Sequence, residues 1–212
     1  MGQKQMGCYL CGDLNPSTKD HIPPRGFFPE PRPSNLITVP CCASCNNAFA
    51  KDDEAVRAWF SASLGATPAG DWILTNKVVP GTMIRSPAFR ESLLNSIEDT
   101  KLLSEQEGLI DVAQFSVDPD RIERFIIRVV KGLLSFYYPD YDYCFDTFNP
   151  RFIPTTRDNL NKLETFKNLL HYDFRGDGVI QYRFGLSDTR RSGMWIILFY
   201  GAVLFLVTHE KP

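Results

Sequence analysis

Apolar residues are spaced along this chain in three ways, and each spacing predicts a different element. From Pro119 to about Tyr138, Ile122, Phe125, Ile126, Val129, Val130 and Leu133 recur at helical steps. Asp118 is a good cap, Pro119 suits the first helical position and Pro139 ends the run. Val56, Trp59, Phe60 and Ser63 share one face of a predicted helix from Asp52 to Leu64, with Asp52, Asp53 and Glu54 at its positive end and Gly65 as its stop. Helices are also expected from Ser86 to Leu103, with Pro87 near the start, and from Pro154 to near His171. The second spacing is strand-like. Trp72 to Val79 reads as a short strand, and Val179 to Phe184 alternates in part. The third is a nearly unbroken apolar run from Met194 to Val207, interrupted at Tyr200-Gly201. Its β-branched and aromatic residues predict two buried strands joined by a tight turn. A membrane span needs about 20 residues, which this run does not reach.

These elements predict an α+β fold with helices followed by a C-terminal antiparallel sheet. The loop from Gly65 to Gly70 marks a boundary, giving a module over residues 1–64 and a larger region over 65–212. The first fifty residues form a segment too short to hold itself together by core burial, so a cross-link is expected there.

Cysteine supplies the candidate. Cys8 and Cys11 form one C-x-x-C pair, Cys42 and Cys45 a second. Each pair bends two sulfurs toward one point, so the four thiolates can close a tetrahedral zinc site. The start, Met1-Gly2-Gln3-Lys4-Gln5-Met6, has no apolar core, so a secretory signal is not expected and a cytoplasmic location is. In that setting paired cysteines read as metal ligands before disulfides. Cys144, alone among aromatics, is expected to be a buried thiol.

Between the pairs stands Asp20-His21, followed by Pro23-Pro24, and Cys45 runs into Asn46-Asn47. A carboxylate, an imidazole and an amide oxygen on a metal-stapled frame suit hydrolysis assisted by a hard cation. Adjacent residues of a strand point to opposite sides, so a bent backbone is expected at Asp20 and His21. The set Cys8, Cys11, Asp20-His21, Asn35, Cys42, Cys45 and Asn46 resembles the zinc-stapled variety of the HNH endonucleases, the ββα-metal fold. The resemblance covers about the first quarter of the chain. It favours Cys42 over its neighbour Cys41 as the zinc ligand. It also implies that Asp20 and Asn46 hold Mg²⁺ or Mn²⁺, that His21 is the general base, and that Asn35 tethers the loop bearing His21. One departure is that no His follows Cys45.

Charge qualifies the picture. With 23 basic and 25 acidic residues the formal net charge is -2, so strong non-specific affinity for nucleic acid is not expected. Arg25 and Lys51 are candidates for holding the scissile phosphate. Arg121, Arg124, Arg128 and Lys131 recur at steps of three and four as a stripe opposite the apolar face of their helix. That stripe reads either as a solvated face or as a ladder of phosphate contacts. The partner expected is nucleic acid, DNA before RNA, with a homodimer or larger complex open and no membrane. Two other readings stand beside nuclease activity: a silent zinc knuckle that only binds nucleic acid or protein, and a subunit that cuts only inside a complex.

Overall fold

The computed structural model describes residues 7–104, 108–144, 146–164 and 171–212. It is α+β. The N-terminal region is a hairpin of β1 (Thr18–Ile22) and β2 (Ile37–Cys41), with a short 3-10 turn at Arg25–Phe27 inside its loop. Two helices follow, α1 (Ala43–Ala48) and α2 (Ala50–Ser61), jointed at Phe49. The expected helix therefore begins two residues earlier than Asp52 and stops three short of Leu64.

Three further expectations are corrected. Trp72 to Val79 is helical, not extended: α3 (Pro68–Ile73) runs into a π-helical stretch at Leu74–Thr82 and a last turn, α4 (Met83–Arg85). Ala69, Gly70, Ile73, Val78 and Thr82 are buried, and the steps of four, five and four residues from Ala69 to Thr82 suit a helix that widens, whereas a strand would bury alternate residues. Pro80 lies in the widened stretch, where its missing N–H removes an ordinary helical hydrogen bond. The helix expected from Ser86 to Leu103 ends early, as α5 (Pro87–Asn95). Its second half is β3 (Glu98–Ser104), paired with β4 (Gly108–Gln114), where Thr100 faces Val112 and Leu102 faces Ile110. Cross-strand pairing there overrides a weak helical pattern. The helix after Pro154 is α7 (Arg157–Glu164), and residues 165–170 lie outside the described set. His171 opens β6 (His171–Arg175), because its segment pairs with β7 (Ile180–Leu186).

Other expectations agree with the structure. The central helix is α6 (Pro119–Tyr137), and Asp118 accepts from the N–H groups of Asp120 and Arg121 as its cap. The apolar run forms β8 (Ser192–Phe199) and β9 (Val203–Glu210), joined through Tyr200 and Gly201, both at positive φ. With β5 (Thr147–Ile153) they build a five-stranded antiparallel sheet in the order β5-β9-β8-β7-β6. Among the described residues no helix is long and apolar enough to cross a membrane. Cys144 is exposed, contrary to expectation: its N–H turns onto the Asp142 carboxylate while Tyr141 and Tyr143 take the interior.

The buried residues on either side of position 64 belong to one contiguous core. Phe27 is fully buried and stacks on Phe125 of α6 at 5.0 Å, and Phe60 of α2 meets Phe199 of β8 at 5.2 Å. Tyr200 locks the join by donating its hydroxyl to the Phe27 carbonyl at 2.8 Å. The hairpin approaches α6 so closely that Gly132 leaves no room for a side chain. A Cβ there would fall 2.4 Å from Cδ1 of the buried Ile22.

Gly132→Ala should therefore lower stability. Overpacking costs about 1–3 kcal/mol, more than the ~1 kcal/mol that alanine gains in a helix. In an Ile22→Ala background, which removes Cδ1, Cγ1 and Cγ2, the penalty should shrink, as denaturant midpoints of the four proteins would measure. An equal penalty in both backgrounds would show that the contact is not what excludes a side chain.

Candidate functional site

The four paired cysteines converge. The sulfurs of Cys8, Cys11, Cys42 and Cys45 all lie within 4.8 Å of one another, and those of Cys11 and Cys42 are 3.7 Å apart. Zinc–sulfur bonds of ~2.3 Å in a tetrahedron separate sulfurs by about 3.8 Å, so the group can hold a structural metal such as zinc. The first pair sits on a tight turn in which Gly12 N–H returns to the Cys8 carbonyl at 2.8 Å, with Gly12 at positive φ. The second pair starts α1, where Cys42 is the N-cap and accepts from Cys45 N–H. Hydrogen bonds from the Ser44 hydroxyl and from that N–H lower the Cys42 thiol to about 6, which favours the thiolate a metal requires. Cys41 is a different case. It ends β2 with its side chain fully buried, outside the group of four, and burial pushes its thiol up.

The same turns place the hydrolytic candidates. Tyr9, inside the first C-x-x-C, donates its hydroxyl to Asp20 Oδ2 at 2.6 Å, and its N–H bonds the Pro40 carbonyl of β2. Asp20 is 7% exposed. It lines a cleft of about 640 Å³ together with His21 of β1, Asn46 of α1, Arg25 of the 3-10 turn, and Lys51, Asp53 and Arg57 of α2. The expected backbone bend is not there, for β1 pairs in register through Asp20 and His21. Lys19, Asp20 and His21 all line the cleft, and β1 is paired on one edge only, by β2.

Hydrogen bonding orients Asn46. Thr18 Oγ1 donates to the Cys41 carbonyl at 2.7 Å, so it can only accept from Asn46, whose Nδ2 lies 3.3 Å away. The amide nitrogen is thus held back and its oxygen turned outward. Asn47 is exposed and does not line the cleft. Asn35 is also exposed, in the turn before β2, and makes no side-chain hydrogen bond among the described residues. For His21, burial and the nearby Arg25 lower the imidazole below its ordinary value, and Asp20 only partly opposes them. A half-buried neutral imidazole beside a carboxylate is fit to accept a proton at neutral pH.

The basic stripe of α6 is largely spent inside the protein. Arg121 and Arg124 reach Asp52 at 3.5 and 3.0 Å, Arg128 pairs with Asp53, and Lys131 lies over the Phe148 ring at 5.3 Å. Arg128 is only 3% exposed. None of the four lines the cleft. Arg25 and Lys51 do, and they make no ion pair among the described residues.

Sequence reasoning passed over Asp53, Arg57 and Tyr9. Burial pushes the Asp53 carboxyl up to about 6, with Asp20 adding to it, although Arg128 pulls the other way. The acidic start of the helix was the only sequence signal for Asp53, and it read as a dipole effect. Tyr9 and Arg57 carry none.

One zinc per chain is the expected result of elemental analysis. Cys42→Ser should lose the metal and melt at a clearly lower temperature, since binding free energy is folding free energy here. Cys41→Ser should keep full zinc content. Well-folded protein without zinc, or metal loss in Cys41→Ser alone, would overturn this ligand set. No family model, curated protein or solved structure matches the chain.

Proposed function

We propose that this chain is a metal-dependent HNH-type endonuclease that hydrolyses phosphodiester bonds of nucleic acid, with DNA the expected substrate. The observation that carries the reading is the convergence of Asp20, His21 and Asn46 on one cleft whose wall also bears Arg25 and Lys51, cations with no ion pair among the described residues. Zinc in the four cysteines would be structural. Mg²⁺ or Mn²⁺ would be held by the Asp20 carboxylate and the Asn46 amide oxygen, hard donors that suit these ions. When bound, the ion neutralises charge on the phosphate and eases departure of the 3′ oxygen.

The chain's own groups do the rest. Tyr9 fixes one Asp20 oxygen by hydrogen bonding and leaves the other for the cleft. His21, neutral because burial and Arg25 disfavour its cation, takes a proton from the attacking water as the new oxygen–phosphorus bond forms and the bond to the 3′ oxygen breaks. Arg25 and Lys51 draw the phosphate in. A second reading, a subunit that cuts only inside a complex, is favoured by Leu102, Leu103 and Leu109 of the β3–β4 hairpin, which are 46%, 76% and 63% exposed. Cutting by the purified chain alone separates the two.

The test is plasmid cleavage against Mg²⁺ and Mn²⁺ concentration. His21→Ala should keep fold and zinc yet cleave about 10²–10⁴-fold more slowly, with no recovery at high Mn²⁺. Asp20→Ala should recover in part as Mn²⁺ rises, and Asn46→Ala should behave similarly but more mildly. Full activity in His21→Ala would remove this mechanism from the chain.

A further inference from the structure

One wall of the cleft is built around a guanidinium whose hydrogen bonds are mostly unused. Arg57 projects from α2 with its side chain 13% exposed. Nη2 donates to Thr82 Oγ1 at 2.9 Å, and this is its one hydrogen bond among the described residues. Nε is buried with no partner. The nearest carboxylate oxygen, Glu54 Oε1, is 3.8 Å away, beyond hydrogen-bond reach, and is already committed to Arg85 at 2.7 Å and to the Thr82 hydroxyl. The end of the guanidinium rests over Gly26, where a Cβ would fall 2.6 Å from Nη1.

An arginine does not shed its charge inside a protein, so a largely buried guanidinium with one hydrogen bond, an unpartnered Nε and a shared carboxylate at 3.8 Å recovers only part of its desolvation cost. Arg128, the other deeply buried arginine beside this cleft, has a carboxylate of its own in Asp53. Arg57 lacks one. What completes it must be an anion with several acceptor oxygens in a plane-matching array, which describes a phosphate group. Arg25 and Lys51 on the same walls raise the local positive potential, and they suit a chain of such groups better than a single carboxylate.

We propose that Arg57, seated over Gly26 and braced by Thr82, is a phosphate-binding residue of this cleft and holds a backbone phosphate of the nucleic acid. The inference rests on the nuclease reading for the nature of the polymer, and on the guanidinium's own geometry for the phosphate. Arg57 is a positioning residue: it sets where the polymer lies along the edge of β1 and has no part in proton transfer.

The test uses zinc-loaded protein in buffer free of Mg²⁺ and Mn²⁺, with a short fluorescein-labelled DNA duplex followed by anisotropy. Arg57→Gln should weaken binding about 10–100-fold, the range of a charge-assisted bidentate contact, and Arg57→Lys should fall between it and the parent. Because Arg57→Gln also weakens the tie to Thr82, Gly26→Ala provides a second arm. It leaves every charge in place but pushes the guanidinium off its seat, at a backbone position that alanine tolerates. It too should weaken binding without lowering the melting temperature, and in cleavage assays both variants should raise KM more than they lower kcat. Parent-like binding by Arg57→Gln and Gly26→Ala overturns the proposal, as does a parent that binds no duplex. Arg57-dependent binding by a protein that does not cut on its own leaves the phosphate site standing and removes the reading of a nuclease that acts alone. Cleavage with KM unchanged in both variants does the reverse.

Discussion

Two carboxylates, Asp20 and Asp53, are turned toward the same largely dehydrated corner, and Arg128 is the group that lets them stay there. Asp53 is driven toward its neutral form by burial and by the charge of Asp20, and the Arg128 guanidinium opposes both. The cation is held from behind, against the Phe49 ring at 4.9 Å, so it balances the acids without entering the cleft. It also joins α6 to α2 at the level where Gly132 admits Ile22 of the hairpin. Removing one partner of such a pair typically costs about 3–5 kcal/mol, because a buried charge is left alone. The position of the cleft thus depends on a core helix that the first fifty residues do not contain.

In the N-terminal region soft and hard donor atoms are kept apart. Four sulfurs gather at one end of the hairpin and suit an ion such as zinc, while oxygen donors face the cleft and suit a harder one. The two ends communicate through ordinary hydrogen bonds. Tyr9 carries the position of the first cysteine turn to Asp20, and the Thr18 hydroxyl sets which way the Asn46 amide faces. Cys42 serves twice, as a member of the sulfur group and as the cap of the helix bearing Asn46. Disturbing the sulfur group would accordingly move the proposed catalytic ligands without touching them.

Much of this was legible in the sequence where local rules act alone. Asp118-Pro119 with a clean apolar stripe specified α6, and Tyr200-Gly201 within an apolar run specified the β8–β9 turn. The cysteine spacing identified the four converging sulfurs, and Asp20, His21 and Asn46 do share a cleft. What was hidden depended on partners distant in sequence. The stripe of α6 showed its period but not that Asp52 and Asp53 face it. Trp72 to Val79 looked extended because aromatic and β-branched residues favour strands, yet burial at Ala69, Ile73 and Val78 decided for a helix. Arg57 was one cation among 23 basic residues until its buried, unpartnered Nε and its distant, shared carboxylate could be seen.

The central claim is that a hard divalent ion sits at the free edge of β1, apart from the sulfur group. Anomalous scattering from crystals of the zinc-loaded protein equilibrated with Mn²⁺ addresses it directly. The account predicts a zinc signal among Cys8, Cys11, Cys42 and Cys45 and a separate manganese signal between the Asp20 carboxylate and the Asn46 amide oxygen, next to His21. Manganese found only elsewhere, or no manganese in the cleft at saturating concentration with DNA present, would contradict it.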